Sequence, residues 1–118
     1  MIKQNKELSI LNKQNDKLTK KLSLSKHCTY DFVTKTLTFY NTPVVLTKKE
    51  LDLLDIFCHN INQNISYAYL KEKIWATKDI SDSTVRDTFS RLKKKIPHIE
   101  FENISNFGYI LKIQLNLE

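Results

Sequence analysis

The sequence predicts an α+β fold in which an antiparallel N-terminal sheet, three helices and a C-terminal β-hairpin follow one another along 118 residues. Apolar residues alternate with a period of two in residues 30–46 and again in 99–113, which indicates half-buried strands. Between these stretches they recur every three or four residues in three segments, which indicates amphipathic helices. A chain of this length holds one hydrophobic core and a short appendage.

The composition excludes several classes of protein. With one glycine and two prolines, the chain lacks the glycines that a phosphate-binding loop needs to bring backbone amides onto a nucleotide. Its two cysteines, Cys28 and Cys58, form no disulfide framework, and a reducing cytoplasm is the expected setting. No apolar run approaches the roughly 18 residues of a membrane helix, and the N-terminus does not resemble a signal peptide, so we expect no membrane partner.

The first 26 residues differ from the rest in carrying seven lysines against two acidic residues. Polar Asn15 stands where a three-four spacing of leucines expects an apolar residue. The leucines of this spacing are Leu8, Leu11, Leu18 and Leu22. We therefore predict a helical linker or a short coiled-coil segment over residues 1–26, ending at Ser23 to Lys26, and a folded domain over 27–118.

Three short runs of β-branched and aromatic residues come next. They cover residues 30–32, 36–40 and 44–46, and the turn-forming stretches 34–35 and 41–43 separate them. This pattern predicts a three-stranded antiparallel meander.

Two helices are marked by their N-terminal caps. Thr47 and Glu50 form a capping box, which predicts a helix that runs to about Asn60. The apolar stripe of this helix comprises Leu51, Leu54, Ile56, Phe57, Cys58 and Ile61. Ser66 caps a second predicted helix that continues through Trp75.

A third helix follows a loop at residues 76–80, begins near Ser81 or Ser83 and is stopped by Pro97. Its apolar face comprises Val85, Phe89, Leu92 and Ile96. Its other face comprises Arg86, Asp87, Ser90, Arg91 and Lys94, with Lys93 and Lys95 at the borders. Five cations against one acidic residue suit a polyanion, because each neutralised phosphate releases counterions. A solvated basic face is the alternative.

Residues 99–104 and 109–113 alternate as the two strands of a hairpin around the turn 105–108. Asn106 and Gly108 are expected to take the positive φ that a tight turn needs. Three helices, the last of them basic and exposed, followed by a hairpin, describe a winged helix-turn-helix. In that fold the basic helix enters the major groove of DNA and the hairpin forms the wing.

The sequence resembles the OmpR/PhoB-type DNA-binding domain of bacterial response regulators over about residues 28–113. The matching stretches, in order, are Leu46 to Leu54, Ile65 to Trp75, Asp82 to Ile96 and Phe107-Gly108-Tyr109. The resemblance implies sequence-specific binding of double-stranded DNA by a two-component transcription factor, with residues 82–96 as the recognition helix and 99–113 as the wing. It also implies a four-stranded N-terminal sheet, one strand more than the meander, and homodimers on tandem half-sites.

The resemblance assigns candidate DNA-binding residues. Arg91 and Lys93 match the family's basic pair on the recognition helix. Arg86, Asp87 and Thr88 match its variable N-terminal base contacts. The full set is Thr84, Arg86, Asp87, Thr88, Ser90, Arg91, Lys93 and Lys94 on the helix, with Ser105 and Asn106 on the wing. An arginine can pair with a guanine edge and the Thr88 methyl can touch a thymine, whereas Asp87 either accepts from cytosine N4 or orients Arg91.

The chain departs from the family in the wing. Ser105 and Asn106 stand where an arginine and a glycine are usual, and Ile110 stands where a basic residue is usual. Without a minor-groove arginine, the wing is expected to make only phosphate or shape contacts.

Two further expectations concern the surroundings of the domain. The resemblance implies that the loop Thr77, Lys78 and Asp79 faces RNA polymerase. No stretch before residue 30 matches the receiver domain that normally precedes this module. The leucine-spaced segment favours the effector half of a longer protein over a free-standing effector.

A second hypothesis stays open, a winged-helix module that binds RNA polymerase or a receiver domain and touches DNA weakly, which Asp87 and the depleted wing favour. We expect neither an enzyme nor a cofactor, because no nucleophile or acid–base set converges. His27-Cys28 and Cys58-His59 lack the usual spacing of a zinc site, so we predict no metal, an exposed Cys28 and a buried Cys58. Trp75 and Tyr109 are predicted to pack within the domain.

Overall fold

The structure, a computed structural model, describes residues 20–77 and 79–114. They form two compact units that divide between Pro43 and Val44. No helix in the described ranges is both long enough and apolar enough to cross a membrane.

The first unit is a four-stranded antiparallel sheet in the order β1-β2-β3-β4. Its strands are β1 (Lys21–Ser25), β2 (Cys28–Asp31), β3 (Thr36–Phe39) and β4 (Thr42–Pro43). Tyr30 lies opposite Leu37 in the register, and both are buried together with Leu24 and Cys28. The four strands that the resemblance implies are confirmed, one more than the three-stranded meander that the period of two predicts. Along β2, buried and half-buried residues alternate, as that period predicts.

The helical prediction for residues 1–26 is wrong at its C-terminal end. Residues Lys21–Ser25 form β1 because this stretch pairs in antiparallel register with β2. The rest of that prediction, residues 1–19, lies outside the described residues.

The predicted strand at residues 44–46 and the predicted exposure of Cys28 are also wrong. Tyr40 and Asn41 adopt left-handed φ values of 54° and 64°, which reverse the chain directly after β3, so that Thr42–Pro43 pairs with β3 instead. Cys28 is fully buried because it shares a sheet face with Tyr30. Burial raises the pKa of the Cys28 thiol to about 11 and so disfavours the thiolate that binds metals.

The second unit combines three helical segments with a three-stranded antiparallel sheet in the order β5-β7-β6. Its elements are α1 (Lys48–His59), β5 (Asn64–Ser66), α2 (Tyr67–Leu70) with a π-helical continuation (Lys71–Trp75), α3 (Asp82–Lys95), β6 (Phe101–Ile104) and β7 (Gly108–Leu111). The predicted three helices and hairpin are confirmed. The sequence predicts no strand where β5 lies, because a three-residue strand with one buried side chain, Ile65, shows no period.

Helix α1 begins at the predicted capping box. The Glu50 amide donates to Thr47 Oγ1 at 3.2 Å, and the Thr47 amide donates to Glu50 Oε1 at 2.9 Å. The same Glu50 carboxylate accepts a hydrogen bond from Lys95 Nζ at 2.7 Å, which ties the start of α1 to the end of α3. Burial raises the pKa of Glu50, but the Lys95 ammonium and the Thr47 amide outweigh it and hold the pKa below its ordinary value.

The buried face of α1 overlaps the predicted stripe only in part. Leu53 is fully buried, whereas Leu51 and Ile56 are half-buried. The buried set of apolar side chains in α1 is Leu53, Leu54, Phe57 and Cys58, which includes the predicted burial of Cys58. A spacing of three and four residues places all of them on one side of the helix.

Gly108 of the hairpin is required by close packing and not by a positive φ. Asn106 has the predicted left-handed φ, at 55°, but Gly108 does not have a positive φ, so that part of the prediction is wrong. A Cβ at Gly108 would overlap the carbonyl oxygen of Ile65 and would lie 2.8 Å from the Cα of Ser66. β7 can therefore pair with β5 only with a glycine at this position.

We expect Gly108→Ala to lower the free energy of unfolding by about 2–3 kcal/mol, because the added methyl must push β5 away from β7. Urea denaturation followed by circular dichroism measures this. Asn106→Gly is the control: it frees the left-handed turn residue without adding atoms, and stability should stay within about 0.5 kcal/mol. Equal stability of Gly108→Ala and the native chain would contradict the packing argument.

We expect Glu50→Gln to lower the free energy of unfolding by about 2 kcal/mol near neutral pH, because it keeps the cap but removes the charge that pairs with Lys95. The Lys95 side chain is 38% exposed, which reduces the loss below that for a fully buried pair. Since the pKa of Glu50 is lowered on folding, the charge stabilises the fold above its ordinary value of 4.5, and this stabilisation is lost as the pH falls through and below that value.

Urea denaturation of the native chain and of Glu50→Gln over a series of pH values should therefore show two curves that converge in acid. The control is Asp52→Asn, which breaks the exposed pair with Lys48 and should cost less than about 0.5 kcal/mol. A difference between native and Glu50→Gln that does not depend on pH would rule out the charge as its cause.

Candidate nucleic-acid interface

Helix α3 is anchored by its apolar face, as the sequence predicts. Val85, Leu92 and Ile96 are fully buried and Phe89 is nearly so. The helix begins after Ser81, whose Oγ accepts a hydrogen bond from the Thr84 amide at 3.3 Å. It spans Asp82–Lys95, in agreement with the predicted recognition helix at 82–96.

An aromatic cluster joins α3 to the hairpin. The Phe89 ring stacks on Tyr109 of β7 with 3.6 Å between ring centroids and 7° between ring planes. Phe89 also meets the edge of Phe101 of β6 at 4.9 Å, and Phe101 in turn lies 5.3 Å from Phe57 of α1. Burial and the Tyr67 hydroxyl raise the pKa of Tyr109, so its phenol stays neutral at physiological pH. The helix and both hairpin strands are thus fixed to one another, and the predicted packing of Tyr109 is confirmed.

The outward face of α3 is largely cationic. Its exposed residues are Ser83, Arg86, Asp87, Ser90, Arg91, Lys94 and Lys95. At the start of the helix, Asp82 pairs with Lys71 at 2.6 Å, so its charge is already neutralised within the protein. Asp87 is therefore the unpaired carboxylate in a row of cations and hydroxyls, among the residues that the structure describes.

Thr88 does not belong to this outward face. Its side chain is only 4% exposed, and its hydroxyl donates to the Thr84 carbonyl at 3.1 Å. Burial leaves the methyl group no access to a thymine, so this predicted contact does not fit the structure. Thr84 itself is half-buried, and its Oγ1 lies 3.2 Å from Ser81 Oγ within the N-terminal cap.

Two of the helix lysines have intramolecular roles. Lys93 Nζ donates to the Ile99 carbonyl at 3.0 Å and lies 5.6 Å from the centroid of the Phe101 ring. Lys95 is held by Glu50. In the C-terminal half of α3 it is therefore Arg91 and Lys94 whose charges face solvent. Helical spacing alone does not distinguish them from Lys93, because the carbonyl that Lys93 binds lies beyond the end of the helix.

The turn of the hairpin presents Ser105 and Asn106, both exposed, as the sequence predicts. Next to them the Phe107 ring is 48% exposed. Asn103 of β6 lies opposite Tyr109 and lines a groove between α3 and the hairpin together with Arg86 and Ser90. Asn103 was not among the predicted site residues. The signal that identifies it is the hairpin register, since Tyr109 is predicted to face the helix.

The loop before α3 is partly described. Asp79 is exposed, and its amide donates to Thr77 Oγ1 at 3.0 Å, whereas Lys78 lies outside the described residues. The loop follows Trp75, which is half-buried beneath the Lys49 ammonium at 5.6 Å from its ring centroid. Lys49 Nζ also donates to the Ile74 carbonyl at 3.3 Å. Trp75 therefore packs against α1, as predicted.

Within residues 20–77 and 79–114, no group of three or more His, Cys, Asp and Glu side chains is arranged to hold a metal ion. The two cysteines are both free and buried. The chemistry that the described surface offers is that of hydrogen-bond donors and positive charge on a rigid helix.

Comparison with known proteins supports this reading. Residues 41–111 match the family described as "Transcriptional regulatory protein, C terminal". The chain is 37% identical to the transcriptional regulatory protein CssR of Bacillus subtilis over 65 residues, which cover 54% of this chain and 29% of CssR. It is 33% identical to protein RcaC of Microchaete diplosiphon over 82 residues, which cover 64% of this chain and 13% of RcaC. The chain therefore spans less than a third of either relative.

Solved structures agree with the predicted winged-helix fold. The crystal structure of the DNA-binding domain of Bacillus subtilis CssR matches with a TM-score of 0.59 and 28% identity, covering 75% of this chain and 97% of that one. The DNA-binding domain of Klebsiella pneumoniae RstA, crystallised in complex with the RstA box, matches with a TM-score of 0.68 and 22% identity, covering 79% and 97%. At that identity the likeness to RstA shows the fold alone.

We expect the neighbouring lysines of α3 to differ in their effect on stability. Lys93→Met should lower the free energy of unfolding by about 1 kcal/mol, because the Ile99 carbonyl loses its donor. Lys94→Met, which removes the same charge from the exposed face, should change it by less than about 0.5 kcal/mol. Thermal denaturation of both variants measures the difference, and equal stabilities would argue against a structural role of Lys93.

Proposed function

Because the chain belongs to the OmpR/PhoB-type family of C-terminal DNA-binding domains of transcriptional regulatory proteins, we propose that it binds double-stranded DNA sequence-specifically as a response-regulator effector domain. The observation that carries the proposal is the exposed face of α3, where Arg86, Arg91 and Lys94 project from a helix whose other face is buried. Because the apolar face of α3 is packed in the core, the exposed side chains can contact DNA while the helix stays packed against the domain.

The dimensions and chemistry of α3 suit the major groove. An α-helix with its side chains is about 10–12 Å wide and the major groove is about 12 Å wide. The guanidinium groups of Arg86 and Arg91 can each donate two parallel hydrogen bonds to a guanine edge. Lys94, in the last turn of the helix, suits a phosphate, where the position of a charge matters more than its geometry.

The wing contributes differently. Its exposed turn carries the neutral side chains of Ser105 and Asn106, which can donate to phosphate oxygens but bring no positive charge into the minor groove. We propose that α3 supplies most of the sequence selectivity and that the wing orients the domain on the backbone. Asn103, in the groove beside Arg86, extends this surface.

Further parts of the proposal rest on the family alone. The loop containing Thr77, Lys78 and Asp79 would contact RNA polymerase, and two copies of the chain would occupy tandem half-sites. In a longer protein, residues 1–19 would link this domain to a receiver domain, and the cytoplasm is the expected compartment.

Selection of bound duplexes from a random-sequence pool, at about 150 mM salt, tests the proposal with the full chain. We expect one enriched motif, and a direct repeat spaced by about one helical turn if two copies bind in tandem. If the selection enriches no motif, and the chain captures RNA polymerase or a receiver domain, the protein-interaction hypothesis is favoured instead.

Arg91→Ala should lower the affinity for the selected duplex about tenfold or more, because a bidentate base contact is lost. If Arg91 contacts a phosphate instead, the slope of log affinity against log salt should fall by about 1 while selectivity is kept. Fluorescence anisotropy titrations at several salt concentrations distinguish the two. Lys48→Ala, which removes a cation from α1, is the control and should change affinity about twofold or less.

A further inference from the structure

Asp87 is the one feature of the outward face that a phosphate-binding role does not explain. It is exposed in the first half of α3, and its neighbours on that face are Arg86, Ser90 and Arg91. Within residues 20–77 and 79–114, the structure records no hydrogen bond or ion pair of the Asp87 carboxylate, including none to Arg91. A carboxylate so placed would weaken binding to a polyanion unless it meets a donor on the DNA.

The position of Asp87 around the helix separates it from the arginines. At about 100° per residue, Asp87, Ser90 and Lys94 project roughly 140–180° away from the mean direction of the buried side chains of α3. Arg86 and Arg91 project roughly 100–120° from the same direction, one on each side. Asp87, Ser90 and Lys94 therefore share the central sector of the outward face, and Arg86 and Arg91 flank this sector on either side.

In the proposed docking, the centre of the face and its flanks meet different parts of the DNA. The groove floor consists of base edges and its walls carry the phosphates. The middle of the outward face points to the floor, so Asp87 lies farther from the phosphates than the flanking Arg86 and Arg91 do. The first half of a recognition helix is also the part that contacts base edges.

We propose that Asp87 is a specificity-determining residue that accepts a hydrogen bond from the N4 amino group of a cytosine in the major groove. The inference rests on the proposed function and deepens it by naming the base pair. Thymine and guanine present acceptors at this edge, O4 or O6 and N7, which repel a carboxylate. Adenine offers an amino group beside the N7 acceptor, so a carboxylate pairs with it less well than with cytosine.

The guanine that pairs with this cytosine presents two acceptors to the same groove. A guanidinium from a flank of the helix, Arg86 or Arg91, can bind such a guanine edge. The Asp87 carboxylate then accepts from the cytosine amino group, and the guanidinium donates to the guanine acceptors of a C·G pair. This arrangement neutralises Asp87 in the complex without an ion pair in the free protein.

The test compares random-pool selections with the full native chain, Asp87→Ala and Asp87→Asn. In the native motif, one position should require cytosine, and its replacement by thymine should weaken binding about 5- to 150-fold in a competition titration. Asp87→Ala should lose the preference at that position alone. Asp87→Asn should change the preference there to adenine, because an amide donates to N7 and accepts from N6.

Asp87→Ala should also bind unselected DNA more tightly than the native chain, since it removes a negative charge from the interface. Asp52→Asn, which makes the same charge change on α1, controls for net charge and should leave the motif unchanged. Loss of a preference for an A·T pair in Asp87→Ala, equal weakening at every position, an unchanged motif, or no change to adenine in Asp87→Asn would overturn the assignment to cytosine. Absence of any motif with the native chain would instead overturn the proposed function.

Discussion

The stacking of Phe89 on Tyr109 is the contact on which the rest of the second unit depends. It places α3, with its outward cationic face, directly on the hairpin, at 3.6 Å between ring centroids, and Phe101 and Phe57 extend the same cluster to β6 and α1. Aromatic rings pack in few relative orientations, so the cluster fixes the rotation of α3 about its own axis. That rotation decides which residues face outward. A rotation of α3 by about 100°, one residue position, would turn Arg86 or Arg91 toward the core.

Ion pairs and hydrogen bonds of charged side chains also hold α3 in place. The Glu50 carboxylate caps the N-terminus of α1 and also pairs with Lys95 at the C-terminus of α3. At the N-terminus of α3, Asp82 pairs with Lys71. Lys93 is bound to the Ile99 carbonyl. Several charges of α3 therefore act within the protein, and they constrain the helix at both ends. The remaining charges are few and have defined directions, which favours selective contacts over general attraction to DNA.

Some cations of this chain bind groups within the protein and others are exposed, so the net charge alone does not measure the charge available to a partner. The excess of 19 basic over 13 acidic residues predicts a polyanionic partner. It does not identify which cations are available, because an ammonium that binds a carbonyl or carboxylate contributes to stability at the cost of its contact with DNA. Asp87 shows the converse. Its negative charge reduces the basic character of α3, yet its place at the centre of the outward face gives that helix a preference that cations alone do not supply.

The sequence by itself determined the order of the three helices and the hairpin in the second unit, the capping box of α1, the apolar face of α3 and the family. These depend on periods and caps that neighbours in the chain create. Only the tertiary structure decided the burial of Thr88, the engagement of Lys93 by Ile99, the close approach that requires Gly108, and the strands β1, β4 and β5. Each of these depends on a partner that is distant in the chain or on a local turn. A three-residue strand or a half-buried lysine has no period that would reveal that partner.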